Sequence, residues 1–253
     1  MKKIILSPLR TPIIQKGDSV ANILYEVIQE LGITIDDGDV LVIAETPVAV
    51  AEGHTLELKS VNPSEKARKL AEKYQMDPHV VEVVLQEADE ILGGVQGVLL
   101  TIKNHTLIAN AGVDLSNAPL GFVTHYPKDP QKSVQLIRTF LEEKFHKKIA
   151  VIMGDSRVQP LRRGTIGVAM AVAGMESVED FRGRKDLYGR ELQITFRALA
   201  DDLVSAAQLL LGESDEGIPA VLIKGVSVQI TDNPAQKMEI PRNECLFMNS
   251  LSN

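Results

Sequence analysis

Apolar residues at helical spacing and short runs of β-branched apolar residues follow one another along this 253-residue chain, and this pattern requires helices that pack against strands. Between residues 19 and 31 apolar side chains recur at helical spacing and form one stripe. Asp18 or Ser19 can cap this helix and Gly32 can end it. Residues 39–45 (DVLVIAE) form a short, β-branched apolar run bounded by Asp-Gly, which predicts a buried strand.

Capping signals predict two more helices. In the NPSE segment at residues 62–65, Asn62 is the predicted cap, the proline occupies the first turn and Glu65 returns to the cap. Asp77 followed by proline predicts a third helix. Its valines favour a strand as the alternative, but the cap and the length of the segment favour a helix. The apolar residues assigned to this helix are Val80, Val81, Val84, Leu85, Ala88 and Leu92.

The remaining elements determine the predicted fold class. A hairpin is expected over residues 97–103 and 106–110, with a tight turn at Asn104-His105. Helices and strands alternate irregularly, which favours an α/β (mixed α+β) fold with mixed sheets and flanking helices over a barrel. Residues from about 231 onward are polar, have no clear period and are expected to pack loosely. The other predicted strands cover residues 149–153, 192–198 and 219–224, and the other helices cover 134–145 and 199–211.

Composition excludes several classes of function. The chain has 34 acidic and 27 basic residues, a formal charge of −7 and no basic block, which argues against nucleic-acid binding. Cys245 is the single cysteine, so neither an internal disulfide nor a cysteine-ligated zinc site is expected. The longest apolar run, residues 166–175, is too short to span a bilayer, and no signal-peptide core follows Lys3. We therefore expect a cytoplasmic protein without membrane contact.

Two segments place acids where apolar strands are predicted to end. Asp114 lies in NAGVDLSN at residues 110–117, and Asp155-Ser156 follows the predicted strand at 149–153. Ligands gather at the carboxyl ends of strands in open α/β sheets, and Mg²⁺ or Mn²⁺ prefers hard oxygen donors. These residues are therefore candidate metal ligands. The alternative is that both aspartates are turn or cap residues, as most aspartates at strand ends are.

A third segment is rich in cations. Arg184, Lys185 and Arg190 lie between the glycines of GRKDLYGREL at residues 183–192, and Arg162 belongs to a further Arg-Arg-Gly sequence. Arginine binds phosphates and carboxylates in bidentate fashion, although a mixed-charge loop of this kind is more often a solvated turn. The chain has neither a P-loop lysine motif nor GxGxxG, so neither standard cradle would hold a nucleotide.

At these segments the sequence resembles the coenzyme F-420-0:L-glutamate ligases, the γ-glutamyl ligases of deazaflavin coenzyme biosynthesis. The likeness runs from about residue 5 to 225, and residues 1–230 are expected to form one ligase-like domain of two intertwined lobes, followed by a polar tail at 231–253. Its most specific stretches are NAGVDLSN, GRKDLYGREL and GESDEGIPAVLIKG, the last at residues 212–225.

The resemblance implies a homodimer that uses GTP, Mg²⁺ or Mn²⁺, and K⁺ as a further cation. It implies transfer of the γ-phosphoryl group to a carboxylate of a deazaflavin precursor, and attack by L-glutamate on the acyl phosphate. By position, Asp114, Asp155 and Ser156 would bind metal. Asn110, Ser116, Asn117 and Arg162 would bind the nucleotide, and Arg184, Lys185 and Arg190 would face phosphates or the acidic acceptor as catalytic residues.

Two departures from the family pattern bear on the substrate. Ala49-Val50 stands where relatives commonly have Ser-Lys, and Val158-Gln159 replaces a Gly-Arg pair after Asp155. Loss of a cation that pairs with a polyanion corresponds to roughly 1.5–3 kcal/mol of binding or transition-state stabilisation. Three functions therefore remain open: the family reaction, the same ligation on another carboxylate acceptor, and binding of a nucleotide or cofactor without catalysis.

Overall fold

The protein is described here by a computed structural model, which covers residues 3–234 and 237–251. The predicted mixed α/β class is confirmed, since helices flank several sheets. Among the described residues no helix is both long and apolar enough to cross a membrane. The strands are β1 Ile5–Leu9, β2 Val40–Ala44, β3 Thr55–Glu57, β4 Glu90–Val95, β5 Val98–Lys103, β6 Thr106–Ala109, β7 Phe122–Thr124, β8 Ala150–Val158, β9 Thr165–Ala173, β10 Glu179–Asp180, β11 Phe196–Arg197 and β12 Ala220–Lys224. The helices are α1 Val20–Glu30, α2 Glu45–Glu52, α3 Glu65–Tyr74, α4 Pro78–Glu87, α5 Pro130–Phe145, α6 Leu199–Leu211 and α7 Leu246–Leu251.

A five-stranded sheet of order β1-β12-β2-β8-β9 forms the centre of the molecule. Adjacent strands of this sheet are antiparallel except for β2 and β8, which run parallel to each other. The side chains of β2 alternate between two cores: Leu41 and Ile43 pack with α1 and α5, whereas Val40 and Val42 pack with α6. Because both faces are covered, this strand is apolar along its length.

Close approach of α6 to the sheet depends on two glycines. A Cβ atom at Gly154 of β8 would clash with the Val204 side chain, and one at Gly167 of β9 would lie 2.7 Å from the Val204 backbone. The glycines therefore let α6 lie directly on the β8–β9 hairpin, beside Asp155.

A smaller three-stranded sheet, β4-β5-β6, stands beside the central one. One of its faces packs through Leu99 on a third core formed with α3 and α4. Asn104 and His105 both have positive φ, at 48° and 61°, which confirms the predicted tight turn of the β5–β6 hairpin.

Several boundaries differ from the sequence prediction. The cap of α3 is Ser64, whose Oγ accepts from Ala67 N at 3.2 Å, so the Asn62 cap is wrong by two residues. Helix α4 ends at Glu87, and Leu92 belongs to β4 instead. Only Phe196–Arg197 of the predicted 192–198 strand is a strand. Strand β8 continues through Asp155 because β9 pairs with it, so this acid lies within a hairpin.

The segment expected to be a loosely packed tail is attached at defined points, although residues 235, 236, 252 and 253 lie outside the described part. Buried Arg138 of α5 pairs with Asp232 and donates to Ile149 O at 2.9 Å. Further on, Arg242 pairs with Glu90 of β4 at 2.9 Å. The proposed division into two intertwined lobes and a tail stays a prediction.

Candidate functional site

One large cavity, of 1510 Å³, lies at the end of β2. Pockets for one small molecule typically measure about 300–1,000 Å³, so this cavity has room for two substrates. Its lining comes from stretches that are distant in sequence: residues within 11–16, 44–50, 107–119, 154–160 and 211–219, together with Thr55, Leu92, Leu100, Tyr126, Thr165, Gln208, Arg242, Phe247 and Met248.

Two carboxylates meet in the wall of this cavity. Strands β2 and β8 pair Ala44 with Gly154 in parallel register, so Glu45 and Asp155 follow at adjacent positions. Burial, together with repulsion from Asp155, raises the pKa of Glu45 to about 8. Burial also raises the pKa of Asp155, partly offset by a hydrogen bond from Tyr126 and by the charge of Arg157. A cation bound here would relieve the repulsion between the two carboxylates.

Tyr126 connects the two acids that the sequence singled out. Its hydroxyl donates to Asp155 Oδ2 across a separation of 29 residues. Its ring lies against Gly112, where a Cβ atom would be only 2.5 Å from the ring. Two residues before it, Thr124 exchanges backbone hydrogen bonds of 3.0 and 2.8 Å with Asp114. Asp114 and Asp155 are thus held on the lining of one cavity by a single short segment.

The loop that carries Asp114 has a fixed shape. Asn110 accepts from Leu99 N at 2.8 Å, and Ala111 N donates to the buried Thr101 hydroxyl at 2.8 Å. Asn110 and Ala111 have φ values of 49° and 52°, a region that costs non-glycine residues energy. Asp114 Oδ1 in turn accepts from Ser116 N at 2.9 Å. These bonds hold the strained loop in place and fix the direction of the Asp114 side chain.

Ser156 contacts an acid that the sequence reading did not select. Its hydroxyl donates to Glu213 at 3.2 Å, and Thr165 and Gln208 donate to the same carboxylate at 2.7 and 2.5 Å. Glu213 lies within the 211–219 stretch that lines the cavity. Glu213 could have been selected from the sequence, because it directly follows Gly212, the residue that ends α6.

The structure gathers six of the ten predicted site residues in the cavity lining: Asn110, Asp114, Ser116, Asn117, Asp155 and Ser156. The other four do not line this cavity. Arg162 lies in the exposed turn between β8 and β9. Arg184, Lys185 and Arg190 lie on an exposed arm, which we define as residues 181–198. The functional roles of all ten residues stay predictions.

The arm is a compact projection. Lys185 and Glu191 form an antiparallel bridge, and Asp186 accepts from the backbone N of Tyr188 and Arg190, at 2.8 Å each. The guanidinium of Arg184 stacks 4.2 Å from the centroid of the Phe181 ring. The arm therefore has its own internal structure, although its tip is exposed.

Among the described residues, three cations line the cavity: Lys16, Arg157 and Arg242. Arg157 belongs to β8, and its Nε lies 3.2 Å from Asp155 Oδ2. Lys16 and Glu45 were not among the site residues predicted from the sequence. Glu45 could have been found, because it directly follows an apolar strand just as Asp114 and Asp155 were expected to do.

The residues present fit a hard divalent cation. Asp114, Asp155 and Ser156, with Glu213 beside the serine, supply only oxygen atoms, the donors that Mg²⁺ and Mn²⁺ prefer. Within residues 3–234 and 237–251 no three His, Cys, Asp or Glu side chains form a cluster able to hold a metal by themselves. Substrate phosphates and water would therefore complete the coordination, as is usual for Mg²⁺.

Comparison with known proteins identifies the family. Residues 8–225 match the family model described as F420-0:Gamma-glutamyl ligase. The chain belongs to this ligase family. Membership confirms the predicted resemblance, and it makes the protein an enzyme that ligates an amino acid.

Individual relatives of this ligase family agree along most of the chain. A coenzyme F420:L-glutamate ligase of Methanothermobacter thermautotrophicus is 40% identical over 215 residues, which are 85% of either chain. The protein of the same name from Methanopyrus kandleri is 40% identical over 240 residues, 94% of this chain and 91% of the relative. That of Methanocaldococcus jannaschii is 38% identical over 249 residues, 98% of both. The likeness to this relative includes the part that follows residue 225.

Proposed function

We propose that this protein joins the amino group of L-glutamate to a carboxylate of the phospholactyl deazaflavin precursor of coenzyme F420, consuming GTP in the presence of Mg²⁺ or Mn²⁺. The observation that carries the proposal is one cavity whose lining includes Asp114, Asp155 and Ser156, in a member of a γ-glutamyl ligase family. The named relatives support the choice of glutamate and of the coenzyme precursor. K⁺ and a cytoplasmic location stay predictions.

The proposed chemistry explains why a phosphoryl donor is needed. A carboxylate and an amine do not condense in water, because hydroxide is a poor leaving group. Transfer of the γ-phosphoryl group forms a bond between phosphorus and a carboxylate oxygen and releases GDP. The glutamate nitrogen then attacks the acyl carbon, the carbon–oxygen bond to phosphate breaks, and the nitrogen loses a proton. The products are an amide and inorganic phosphate.

The chain's own residues would bind and orient the reactants. Asp114, Asp155 and Ser156 would hold the divalent cation, with Glu213 next to the serine. The cation would supply charge neutralisation on the transferring phosphoryl oxygens. Lys16 and Arg157 line the same cavity and would bind phosphate oxygens or the acceptor carboxylate. Tyr126 would keep the Asp155 carboxylate in a fixed orientation.

A direct assay tests the proposal. Protein incubated with GTP, Mn²⁺, glutamate and the phospholactyl precursor should yield GDP, phosphate and a product heavier by one or two glutamates. Asp155→Asn should lower kcat by about 100-fold or more, since removal of one group that stabilises transition-state charge has this effect. Asp202→Asn, at an exposed position of α6, is the matched control and should remain active. An inactive wild type beside an active family enzyme would refute the proposal.

A second candidate is the same reaction on a different carboxylate acceptor. It is favoured by the cavity lining, which includes Val50, Val158 and Gln159, three of the four positions that depart from the family pattern. Phosphate release from GTP across a panel of carboxylates separates the candidates. Stimulation by the deazaflavin precursor alone would eliminate this alternative. Turnover of any acceptor would eliminate the third function left open by the sequence, which is binding of a nucleotide or cofactor without catalysis.

We also propose that the protein acts as a homodimer in which the arm approaches the partner's cavity. Leu187, Tyr188 and Ile194 of the arm are 87–101% exposed. Large apolar side chains that are exposed together, rather than singly, are typical of a surface that contacts another protein. This arrangement would bring Arg184, Lys185 and Arg190 to a site that they do not reach in their own chain. Sedimentation should then report a dimer.

Mixing two inactive variants tests the dimer further. One variant carries Asp155→Asn, and the other carries Arg184→Ala, Lys185→Ala and Arg190→Ala. If arm and cavity of different chains cooperate, a mixture refolded from denaturant should regain up to about a quarter of the activity, as random pairing leaves one intact site in half of the dimers. A monomer, or a mixture without regained activity, would refute the arrangement.

A further inference from the structure

Part of the cavity lining is apolar and has no role in the proposed chemistry. Leu92, Leu100 and Leu107 of the β4-β5-β6 sheet belong to it, and each is 36–38% exposed. The register shift between Ile91 and Gly93 takes Leu92 out of regular pairing. While Leu99 packs into the third core, Leu92, Leu100 and Leu107 belong to none of the three core clusters formed by the described residues.

The C-terminal segment supplies an aromatic side chain to the same cavity. Arg242 pairs with Glu90 at the first position of β4, and Cys245 N donates to the carbonyl groups of Pro241 and Arg242 at 3.1 and 3.3 Å. Helix α7 therefore starts within one turn of the ion pair and lies close to β4. Phe247, 51% exposed, and Met248 of this helix line the cavity. These residues follow the segment 8–225 that matches the family model, although the likeness to the Methanocaldococcus jannaschii relative extends beyond that segment.

We propose that this apolar part of the lining, formed by the three leucines of the β4-β5-β6 sheet and by Phe247, binds the fused aromatic ring of the acceptor substrate. The choice of a deazaflavin ring as the occupant rests on the proposed function. A three-ring system has two broad apolar faces, which aliphatic and aromatic side chains bury favourably. The phospholactyl arm would then extend toward the carboxylates of the same cavity.

The alternative occupant, the guanine of GTP, fits this wall less well. A purine presents hydrogen-bond donors and acceptors around most of its edge, and burial without partners is unfavourable. The side chains of Leu92, Leu100, Leu107 and Phe247 offer no polar atom to that edge. The cavity has room for both substrates, so the nucleotide need not contact this apolar part of the lining.

Binding of the isolated chromophore tests the subsite separately from catalysis. The probe is the deazaflavin chromophore without its phospholactyl arm, titrated with full-length protein and followed by its own fluorescence. A fluorescent GDP analogue is titrated in parallel. Phe247→Ala should weaken chromophore binding about tenfold, as expected for the loss of one stacking contact, and should change GDP affinity less than twofold. Leu107→Ala should weaken chromophore binding severalfold.

Two further variants provide controls. Leu246→Ala changes the neighbouring residue of α7, which is 75% exposed and does not line the cavity, and it should leave both affinities unchanged. Phe247→Leu retains an apolar side chain without the ring, and it should give an intermediate chromophore affinity. A thermal melt of each variant verifies folding.

The outcomes distinguish this proposal from the proposed function. Loss of GDP affinity without loss of chromophore affinity would assign the wall to the nucleobase and overturn the proposal. Equal chromophore affinity of wild type and Phe247→Ala would also overturn it, even if wild type adds glutamate to the precursor. Chromophore binding that depends on Phe247, in a wild type that adds no glutamate, would support the subsite and refute the proposed function.

Discussion

The buried pair of Glu45 and Asp155 makes stability depend on pH in a direction opposite to that of most carboxylates. In the folded protein the pKa of Glu45 is about 8, against an ordinary value of 4.5. The folded state thus holds its proton more tightly than the unfolded state does. As pH rises from 4.5 toward 8 the unfolded state loses the proton first, and the stability of the folded state declines.

Glu45→Gln removes this decline, because glutamine is isosteric with the protonated acid and can still accept from the Thr46 hydroxyl. A pKa difference corresponds to about 1.4 kcal/mol per unit, which would give about 3 kcal/mol at pH 7 for an isolated group. Asp155 shares the interaction, so we expect the variant to gain about 2 kcal/mol over wild type between pH 5 and 7.

Urea unfolding of wild type and Glu45→Gln at several pH values between 5 and 7.5, with a chelator present, measures this gain. Glu143→Gln on the exposed side of α5 is the control and should parallel wild type. Unfolding free energies of Glu45→Gln that parallel wild type over the whole range would refute the reasoning that burial and Asp155 together keep Glu45 protonated.

Three further predictions address the site and the fold. Tyr126→Phe removes the hydroxyl that donates to Asp155 but retains the ring that lies on Gly112. We expect the Mn²⁺ affinity in the presence of GDP to change severalfold and the unfolding free energy to fall by about 1–3 kcal/mol. An unchanged metal affinity would contradict the role of Tyr126 in positioning Asp155. Gly154→Ala should lower the unfolding free energy by about 1–3 kcal/mol in a denaturant titration, because the added methyl group clashes with Val204. Val204→Ala in the same chain should restore part of this stability. Equal stability of the single and double variants would argue against the contact. Ser64→Ala should lower stability by about 1 kcal/mol and Asn62→Ala should not, since Ser64 caps α3; the reverse order would restore the cap predicted from sequence.

The parts of the fold that sequence analysis predicted correctly are those with local causes. Helix α1 has its stripe and the Ser19 cap within a dozen residues, and the β5–β6 turn needs only two residues in the left-handed region. The errors have different causes, and the misplaced cap of α3 is itself a local one. Strand β8 extends past Met153 because β9 pairs with it, and α2 was overlooked because its few apolar side chains give no clear helical stripe.

The candidate site shows the same division. The motifs around Asp114 and Asp155 identified both acids, and the cavity lining includes them. Tyr126, which links them, carries no local signal, because its ring and hydroxyl matter only through residues that are remote in sequence. Glu45 follows a buried strand just as the expected pattern requires, but its shifted pKa depends on the neighbouring strand.

By itself, the sequence of this protein determined most of the periodic elements, the caps of α1 and α4, and the family, because these depend on side chains that are neighbours along the chain. Only the tertiary structure decided which charges share one cavity and which lie on the exposed arm. It also decided that an apolar sheet face and Phe247 line the same space as the carboxylates. The physical reason is that burial, electrostatic repulsion and packing act through distance in space, and chain folding sets that distance independently of separation in sequence.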